Sequence, residues 1–370
     1  MQKILYTANT YRHLYLCHLP YIKYLNSKYI IHTACNSNKE VPNANKSYFV
    51  PIERKPFNLN NIKAIFKLKK IIETEQYDMI HTHTPMGAVV TRLAALKYKK
   101  KHKLTIIYTA HGFHFFKGAP IINYILYYPI EKFLSKYTDL IITINKEDYE
   151  FAKKHFKTKI EYLPGIGFNK QKFSQKITKE QLNKFKIKND ISNKDYIISY
   201  VAEISKRKRQ LYLLKTFKNY TFTNEKILLI GDQYDCKKIN KYLKKYNLEN
   251  NIKLIDFNDN IPMYLNISNI VISVSKQEGL PLNIMEAMFL EKPIIVTNCR
   301  GNRDLITNKK NGIVVDINNK KELLNAIEFI KNNPSIAKKL GKKKKKIIDI
   351  YSIDNTLNIM KKIYSNYLDN

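Results

Sequence analysis

The stretch IVISVSKQEGLPLNIMEAMFLEKPIIVTNCRGNRD, residues 270–304, carries the clearest signal of the fold. It begins with an apolar run, Ile270–Ser273, passes through the turn SKQEGLP, and opens a helical pattern near Leu282. A second apolar run, Pro293–Thr297, follows that helix. Short apolar strands that alternate with helices are typical of parallel sheets covered by helices on both faces. We therefore predict an α/β fold.

The same alternation extends over most of the chain. The predicted strands are Lys3–Ala8, Tyr29–Ala34, Met79–Thr82, Leu104–Thr109, Leu140–Thr143, Ile160–Leu163, Tyr196–Ala202, Ile227–Ile230, Ile252–Phe257, Ile270–Ser273, Pro293–Thr297 and Gly312–Val315. Predicted helices between them include Asn60–Glu75, Ala88–Lys100, Gln210–Tyr220 and Cys236–Tyr246. The series breaks at the polar segment 165–195, which we interpret as a linker with a helix only at Thr178–Lys186.

A chain of 370 residues is too long for one compact core. The break in the series predicts two doubly wound, Rossmann-like domains, residues 1–170 and 171–350. Residues 351–370 are predicted to form a C-terminal helix with an apolar stripe. One possibility is that this stripe packs back on the first domain.

The charge is strongly positive, with 65 Lys and Arg against 31 Asp and Glu, a net charge of +34. One interpretation is compositional bias on a solvated surface, because the chain is also rich in Asn, Ile and Tyr and lacks Trp. The other is an anionic partner such as phosphate, anionic lipid or nucleic acid. Net charge alone does not decide between them.

The four cysteines are scattered without a C-x-x-C pair, which excludes a zinc finger or a disulfide framework. No apolar run reaches the roughly 20 residues of a membrane-spanning helix, and the N-terminus reads as a strand, not a signal peptide. We expect a cytoplasmic protein whose membrane contact, if any, is peripheral.

One predicted helix is a candidate for such peripheral membrane contact. The segment Ile121–Phe133 is rich in Tyr and aliphatic residues. It suits either a core helix or a surface helix at a membrane interface. We favour the core.

The turn after Ser273 suits a nucleotide ligand, because α/β folds bind ligands at the carboxyl ends of their strands. Gly279 and Pro281 allow close approach and then a helix start, whose free N–H groups attract phosphate. Glu286, early in that helix, and Glu278, in the loop before it, offer carboxylates that accept paired hydroxyl hydrogen bonds.

A second loop, YVAEISKRKRQ at residues 200–210, follows another predicted strand and is strongly basic. Fixed cations there would stabilise the negative charge of a leaving diphosphate. Lys208 is the main candidate, and either Arg207 or Arg209 is the second cation.

The spacing of Glu278 and Glu286, in the form EGLPLNIME, resembles the E-x7-E signature of retaining GT-B glycosyltransferases of the family-4 type. The stretches YTAHGFHFFKGAP, YLPGIGFN and RGNRDLI resemble a bacterial capsule and exopolysaccharide subgroup. The resemblance implies two domains facing across a cleft, the first binding the acceptor and the second the nucleotide sugar.

The resemblance also implies roles for individual residues. Glu286 would bind the ribose, and Glu278 would act catalytically beside the donor sugar and diphosphate. The backbone of Gly279, Leu280 and Pro281 would face the same groups. Lys208 matches the family's lysine, whereas Ala202 and Glu203 stand where the family has Gly and Arg.

Histidines lie at the ends of two predicted strands, in the segments HTHTP (81–85) and TAHGFH (109–114). His111 matches the cleft histidine of the family and is a catalytic candidate that would position the reacting groups. We place His18, His83 and His114 at the acceptor cleft. The H-x-H pair also permits a metal interpretation, but no Cys or carboxylate lies close in sequence and no D-x-D occurs, so we predict no metal and no cofactor.

The resemblance thus implies transfer of a sugar, from a UDP-sugar in the first instance, with retention of configuration. The implied acceptor is a polyprenyl-diphosphate-linked saccharide, reached from an anionic surface at the inner face of the cytoplasmic membrane. One alternative is a sugar-nucleotide epimerase of the same fold. Another is a basic nucleic-acid-binding protein, which we disfavour because no helix-turn-helix, RNP or zinc-finger pattern occurs.

Overall fold

The computed structural model describes residues 1–232, 236–342 and 348–368. The chain forms two compact units, residues 1–167 together with the C-terminal helix, and residues 168–352. It leaves the first unit after Gly167 and rejoins it at Ile353. These crossings lie close to the boundaries at residues 170 and 350 expected from the sequence.

The first unit contains a seven-stranded parallel sheet in the order β3-β2-β1-β4-β5-β6-β7. Its strands are β1 Lys3–Thr7, β2 Ile30–Cys35, β3 Lys46–Phe49, β4 Met79–His83, β5 Thr105–Ala110, β6 Leu140–Thr143 and β7 Lys159–Tyr162. The second unit contains a six-stranded parallel sheet in the order β10-β9-β8-β11-β12-β13. Its strands are β8 Tyr196–Val201, β9 Glu225–Ile230, β10 Ile252–Ile255, β11 Ile270–Ser273, β12 Ile294–Thr297 and β13 Ile313–Val315.

Helices connect the strands. In the first unit they are α1 Tyr11–His13, a π-helical turn at Leu14–His18, α2 Leu19–Leu25, α3 Asn60–Glu75, α4 Pro85–Lys99, α5 Ile121–Ser135 and α6 Lys146–His155. In the second unit they are α7 Lys170–Ser174, α8 Lys179–Lys188, α9 Gln210–Phe217, α10 Cys236–Lys245, α11 Ile261–Ile267, α12 Leu282–Phe289, α13 Asn302–Leu305, α14 Lys320–Asn332 and α15 Pro334–Lys342, with a 3₁₀ turn at Asp349–Tyr351. The C-terminal helix is α16, Ile353–Leu368.

Both sheets are doubly wound, so the prediction of two Rossmann-like α/β domains is confirmed. In each sheet the strand order reverses once, between β1 and β4 and between β8 and β11. Residues of the central strands are buried on both faces, as in β11, because helices cover both sides of a parallel sheet. The continuous apolar runs in the sequence report this double burial.

Strand β3 was not predicted, and the segment 165–195 is not a free linker. Strand β3 has the sequence KSYF and is partly exposed at the sheet edge, so it lacks an apolar run. Residues 168–195 belong to the second unit, where they form α7 as well as α8. Phe168 and Phe173 are buried there, and Phe168 N donates to Tyr351 O at 3.0 Å. The sequence did not indicate that these two phenylalanines are buried, because the segment around them is mostly polar.

Helix α16 belongs to the first unit and closes its core. Met360, Ile363 and Tyr364 are buried in one cluster with residues of β1 and α2. Tyr364 OH lies 2.6 Å from His81 Nδ1 and also bonds Tyr6 OH. Helix α16 therefore completes the core of the first domain.

Candidate active site

The strongest cluster of charged residues lies where the strand order of the second sheet reverses. Strands β8 and β11 are neighbours there, and the loops that follow them carry Lys208 and Glu278. Doubly wound sheets bind ligands in the crevice at such a reversal, beyond the carboxyl ends of the strands. The fold thus brings two residues predicted for the donor site to one position.

Glu278 is held between two cations. Its side chain is only 5 % exposed, Lys208 Nζ lies 2.5 Å from its Oε1, and Arg207 Nη1 lies 3.1 Å from its Oε2. Burial by itself would raise the pKa of Glu278, but the charges of Lys208 and Arg207 outweigh it and hold the pKa below its ordinary value. Glu278 is therefore an ionised carboxylate at neutral pH.

The structure distinguishes the two arginines that the sequence left open. Arg207 joins Glu278 and also pairs with Glu203 at 2.9 Å. Arg209 turns to the other side, where its Nη2 donates to Asn318 Oδ1 at 2.9 Å and its guanidinium stacks 3.9 Å from the Tyr212 ring. Arg207 is thus the second cation of this cluster, and Arg209 does not belong to it.

A neighbouring segment, which the sequence reasoning did not include among the site residues, shapes the loop of Gly279, Leu280 and Pro281. Gly301 has φ +78°, and a Cβ there would lie 2.3 Å from Gly279 O. Arg300 Nε donates to Glu278 O at 3.1 Å. The available signal was the Arg-Gly pair directly beyond β12, at the edge of the sheet where β11 also ends.

Helix α12 carries the second predicted glutamate. Burial raises the pKa of Glu286 to about 7, with the charge of Lys172 opposing the shift. Near the start of the same helix, Asn283 is buried, and its Nδ2 has no hydrogen-bond partner among the described residues. A buried amide donor without a partner is costly unless a ligand accepts its hydrogen bond. Asn283 was missed by the sequence analysis.

In the first unit, four histidines converge at the corresponding reversal between β1 and β4. His83 ends β4 and His111 follows β5. After β1, His13 directly precedes the π-helical turn and His18 is the last residue of that turn. In an α-helix, residues five apart lie about 140° apart around the axis. The wider turn places both rings on the same side. His13 was missed because the sequence shows no sign of this turn.

His81, the other half of the H-x-H pair, is engaged elsewhere. Its Nε2 lies 2.8 Å from Thr109 Oγ1, and its Nδ1 meets Tyr364 OH. Neighbouring positions on a strand point to opposite faces, but positions 81 and 83 share a face. The two ring centroids therefore lie only 4.2 Å apart, with the ring planes tilted by 42°. The H-x-H spacing therefore predicted the proximity of the rings but not their different partners.

The histidine cluster is neutral. Burial lowers the pKa of His13 to about 4 and holds the pKa values of His18, His83 and His111 well below the ordinary value. A neutral imidazole has one N–H donor and one lone pair. At neutral pH these rings can orient a bound group or ligate a metal, but they carry no positive charge.

His114 lies in a different environment from the other histidines predicted for the acceptor cleft. Its ring stacks on Tyr127 at 4.6 Å and lines an apolar cavity of about 310 Å³. The cavity walls also include Phe57, Val89 and Ile125. Its position favours contact with an apolar group.

Helix α5, which forms part of that cavity, lies on the surface. Ile121, Ile122 and Ile125 are 78 %, 53 % and 62 % exposed, so the favoured core interpretation of this segment is wrong. The helix is apolar on nearly all sides, and periodicity could not indicate which side is covered. Among the described residues, no helix combines the length and apolar character needed to cross a membrane.

Two family models match the chain. The model for glycosyl transferases group 1 matches residues 182–347, and the glycosyl transferase 4-like model matches residues 3–145. The first match contains all six strands of the second sheet, and the second match contains strands β1–β6 of the first sheet.

Several named relatives match over most of their length. EpsD of Bacillus subtilis, which is named as a glycosyltransferase, is 33 % identical, and the match covers 100 % of this chain and 97 % of EpsD. The Escherichia coli UDP-Gal:alpha-D-GlcNAc-diphosphoundecaprenol alpha-1,3-galactosyltransferase is 26 % identical over 86 % of this chain and 83 % of that enzyme. The capsular polysaccharide biosynthesis glycosyltransferase CapM of Staphylococcus aureus is 24 % identical over 89 % and 87 %.

Among solved structures, Anabaena Alr3699/HepE in complex with UDP-glucose has a TM-score of 0.83 at 16 % identity, covering 99 % of this chain and 100 % of HepE. At this identity the similarity establishes the GT-B fold.

Proposed function

Since the chain belongs to the family of group 1 and 4-like glycosyltransferases, we propose that it transfers a sugar from a nucleoside diphosphate to a lipid-linked saccharide. The product is part of a capsule or exopolysaccharide, and the anomeric configuration is retained. The observation that carries the proposal is the buried Glu278 carboxylate between Lys208 and Arg207 at the reversal of the second sheet.

The donor nucleotide binds along α12 and the loop before it. Glu286 accepts hydrogen bonds from the two ribose hydroxyls, because a carboxylate has two acceptor oxygens. The N–H groups at the start of α12 and the orphaned amide of Asn283 face the diphosphate. The bound UDP-glucose in HepE supports a UDP-sugar as the donor.

Lys208 and Arg207 act on the leaving group. As the bond to the sugar breaks, negative charge grows on the diphosphate, and cations already in place stabilise it without rearrangement. Both cations pair with Glu278 in the structure described here, so the diphosphate shares them with that carboxylate. Because these side chains supply the positive charge, we propose that the diphosphate needs no divalent metal.

His111 acts as a positioning group in this proposal. It is neutral at pH 7, since burial holds its pKa well below the ordinary value. A neutral ring can donate one hydrogen bond or accept one, which is enough to orient the donor sugar or the incoming hydroxyl. His18 and His83 support its orientation from the same cluster.

The acceptor side is apolar. The cavity of about 310 Å³ beside α5, together with the exposed isoleucines of that helix, suits the hydrocarbon chain of a polyprenyl carrier. The Escherichia coli relative acts on a diphosphoundecaprenol-linked sugar, which supports this class of acceptor. The net charge of +34 favours an anionic membrane surface at the inner face of the cytoplasmic membrane.

Transfer is tested directly with purified protein, a panel of UDP-sugars and a polyprenyl-diphosphate saccharide, with mass analysis of the lipid product. We expect one added sugar with the native protein and none with Glu286→Ala. Glu180→Ala, which removes an exposed glutamate of the same unit, is the matched control and retains transfer. Interconversion of the sugar nucleotide without acceptor would instead favour the epimerase.

Membrane binding is tested by flotation with anionic vesicles at low salt, where charge attraction is strongest. The native protein floats with the vesicles. Ile122→Asp and Ile125→Asp place a charge on the exposed face of α5 and reduce flotation. Ile187→Asp changes an equally exposed isoleucine of the second unit, 75 % exposed, and leaves flotation unchanged. Failure of the native protein to float contradicts the membrane part of the proposal.

A further inference from the structure

Four of the histidines in the first unit form a compact set of possible metal ligands. One ring nitrogen from each of His13, His18, His83 and His111 lies within 4.8 Å of every other. We infer that these side chains form a binding site for a divalent transition-metal ion, with Zn²⁺ as the best-fitting ion. This inference goes beyond the proposed function and does not depend on it.

The spacing of the nitrogens matches tetrahedral coordination. His18 Nε2 lies 3.3 Å from His13 Nε2 and 3.2 Å from His111 Nε2. Zinc binds histidine nitrogens at about 2.0–2.1 Å, which places neighbouring ligands of a tetrahedron about 3.3 Å apart. Two of the three edges among these nitrogens thus already have the length that a zinc ion requires.

Hydrogen bonding between the rings accounts for this arrangement poorly. His18 Nε2 carries either one proton or one lone pair, and two ring nitrogens lie at hydrogen-bond distance from it. The two contacts must therefore share that one proton or lone pair, whereas a shared cation would engage the lone pairs of all three nitrogens at once.

His83 supplies the fourth ligand. Its side chain is buried, and within the described parts of the chain neither ring nitrogen has a hydrogen-bond partner. Its ring stacks on His18 at 3.6 Å between centroids, so metal binding requires His83 to turn toward the other three. That rotation breaks no hydrogen bond, but it changes the packing of the His83 ring on Tyr6 and His18.

The surroundings favour a nitrogen-ligated transition metal over Mg²⁺ or Ca²⁺. The ligand set is all imidazole, which suits zinc, copper, nickel or iron, whereas the alkaline-earth ions prefer oxygen ligands. The ligands come from strand ends and a helical turn, which hold them more firmly than a flexible loop would. Arg54 is the nearby cation whose charge reaches His13 and weakens binding.

Cobalt is a suitable probe, because tetrahedral Co²⁺ absorbs visible light and Zn²⁺ does not. Tag-free protein, freed of metal with a chelator that is then removed, is titrated with Co²⁺. We expect one ion per chain with tetrahedral absorption bands, which stoichiometric Zn²⁺ abolishes by displacement. No bands, or several weakly held ions per chain, would overturn the inference.

Variants locate the ion. His18→Ala and His111→Ala remove ligands, and we expect no bands at equimolar Co²⁺. His102→Ala removes an exposed histidine of the same unit that stacks on Tyr98, and it keeps the bands. Circular dichroism shows whether each variant folds, and His13→Ala, at a half-buried ring, replaces any ligand variant that does not. Bands that persist in the folded ligand variants would refute the site. These readouts involve neither donor nor transfer, so they stand apart from a test of the proposed function.

Discussion

The proposed ribose contact of Glu286 makes nucleotide-sugar binding depend on pH. Burial raises the pKa of this carboxyl to about 7. The ionised form accepts hydrogen bonds from both ribose hydroxyls, whereas the protonated form has lost part of its accepting capacity and carries no charge. Donor binding therefore favours the ionised form, lowers the pKa of Glu286, and releases a proton at acidic pH.

The size of the effect follows from the pKa. With a value of about 7, Glu286 is ionised in roughly one molecule in eleven at pH 6 and in roughly ten in eleven at pH 8. Apparent affinity scales with the fraction of binding-competent protein. We therefore expect affinity for a UDP-sugar to rise about tenfold from pH 6 to pH 8. The buried histidines titrate below this window and do not contribute.

Isothermal titration calorimetry with UDP-glucose measures this change, because its diphosphate diester has no ionisation between pH 6 and pH 8. Parallel runs in buffers of different ionisation enthalpy count the released proton. Glu286→Gln removes the titrating group, so its affinity is the same at both pH values and lies below that of the native protein, with the larger difference at pH 8. Equal affinities of the native protein at pH 6 and pH 8 would refute the assignment.

Three further predictions follow from buried groups. The raised pKa of Glu286 stabilises the fold below about pH 4.5, and this stabilisation is lost as pH rises through about 7. In urea denaturation, the free energy of unfolding of Glu286→Gln should therefore rise relative to that of the native protein by roughly 2–3 kcal/mol between pH 5 and pH 8. Parallel pH profiles of the two proteins would contradict this. Arg92 is fully buried and donates to Glu131 Oε2 at 2.7 Å. Arg92→Met leaves a buried carboxylate without its cation and lowers the free energy of unfolding by about 3–5 kcal/mol, whereas Arg92→Met/Glu131→Leu recovers most of that loss. A loss below about 1 kcal/mol would be inconsistent with the pair. Gly301→Ala places a methyl group against the loop of Gly279 and weakens UDP-sugar binding in calorimetry by about 1–2 kcal/mol. The control variant Gly118→Ala, at φ +90° in open space, leaves the affinity unchanged. Equal affinities of Gly301→Ala and the native protein would show that the loop tolerates the contact.

The core of both domains was predictable because double burial leaves a direct trace in the sequence. Strand β11, with the sequence IVIS, is buried on both faces and apolar at three of its four positions, and few other structures require this over so short a run. Strand β3 escaped because an edge strand needs only backbone hydrogen bonds to one neighbour. Its residues are partly exposed and carry no periodic signal.

The candidate site was predictable where the fold alone determines a position. Lys208 and Glu278 follow adjacent strands, so any doubly wound sheet brings their loops together. The choice between Arg207 and Arg209 was not predictable, because it depends on the direction of side chains within one turn. Arg209 has φ +62°, a left-handed conformation at the start of α9 that no residue pattern announced.

His13 and α5 illustrate two other limits. The spacing of His13 and His18 would separate them in an ordinary helix, and only the π-helical turn brings them together. Helix α5 has apolar residues on nearly all sides, so composition could not distinguish a covered helix from one that faces outward. In both cases tertiary structure supplied what local preference left undecided.

The return of α16 to the first unit has a consequence for the order of synthesis. A ribosome completes residues 168–352 before it adds the helix that fills the core around Tyr6 and Tyr364. Domains generally fold as they emerge, N-terminal first. Here the second domain, which is continuous in sequence, can fold completely before the sixteen-residue helix α16 of the first domain has been synthesised. The N-terminal domain is thus the later of the two to mature, and Gln2 Nε2, which donates to Leu368 O at 2.7 Å, links the segment before β1 to the end of α16.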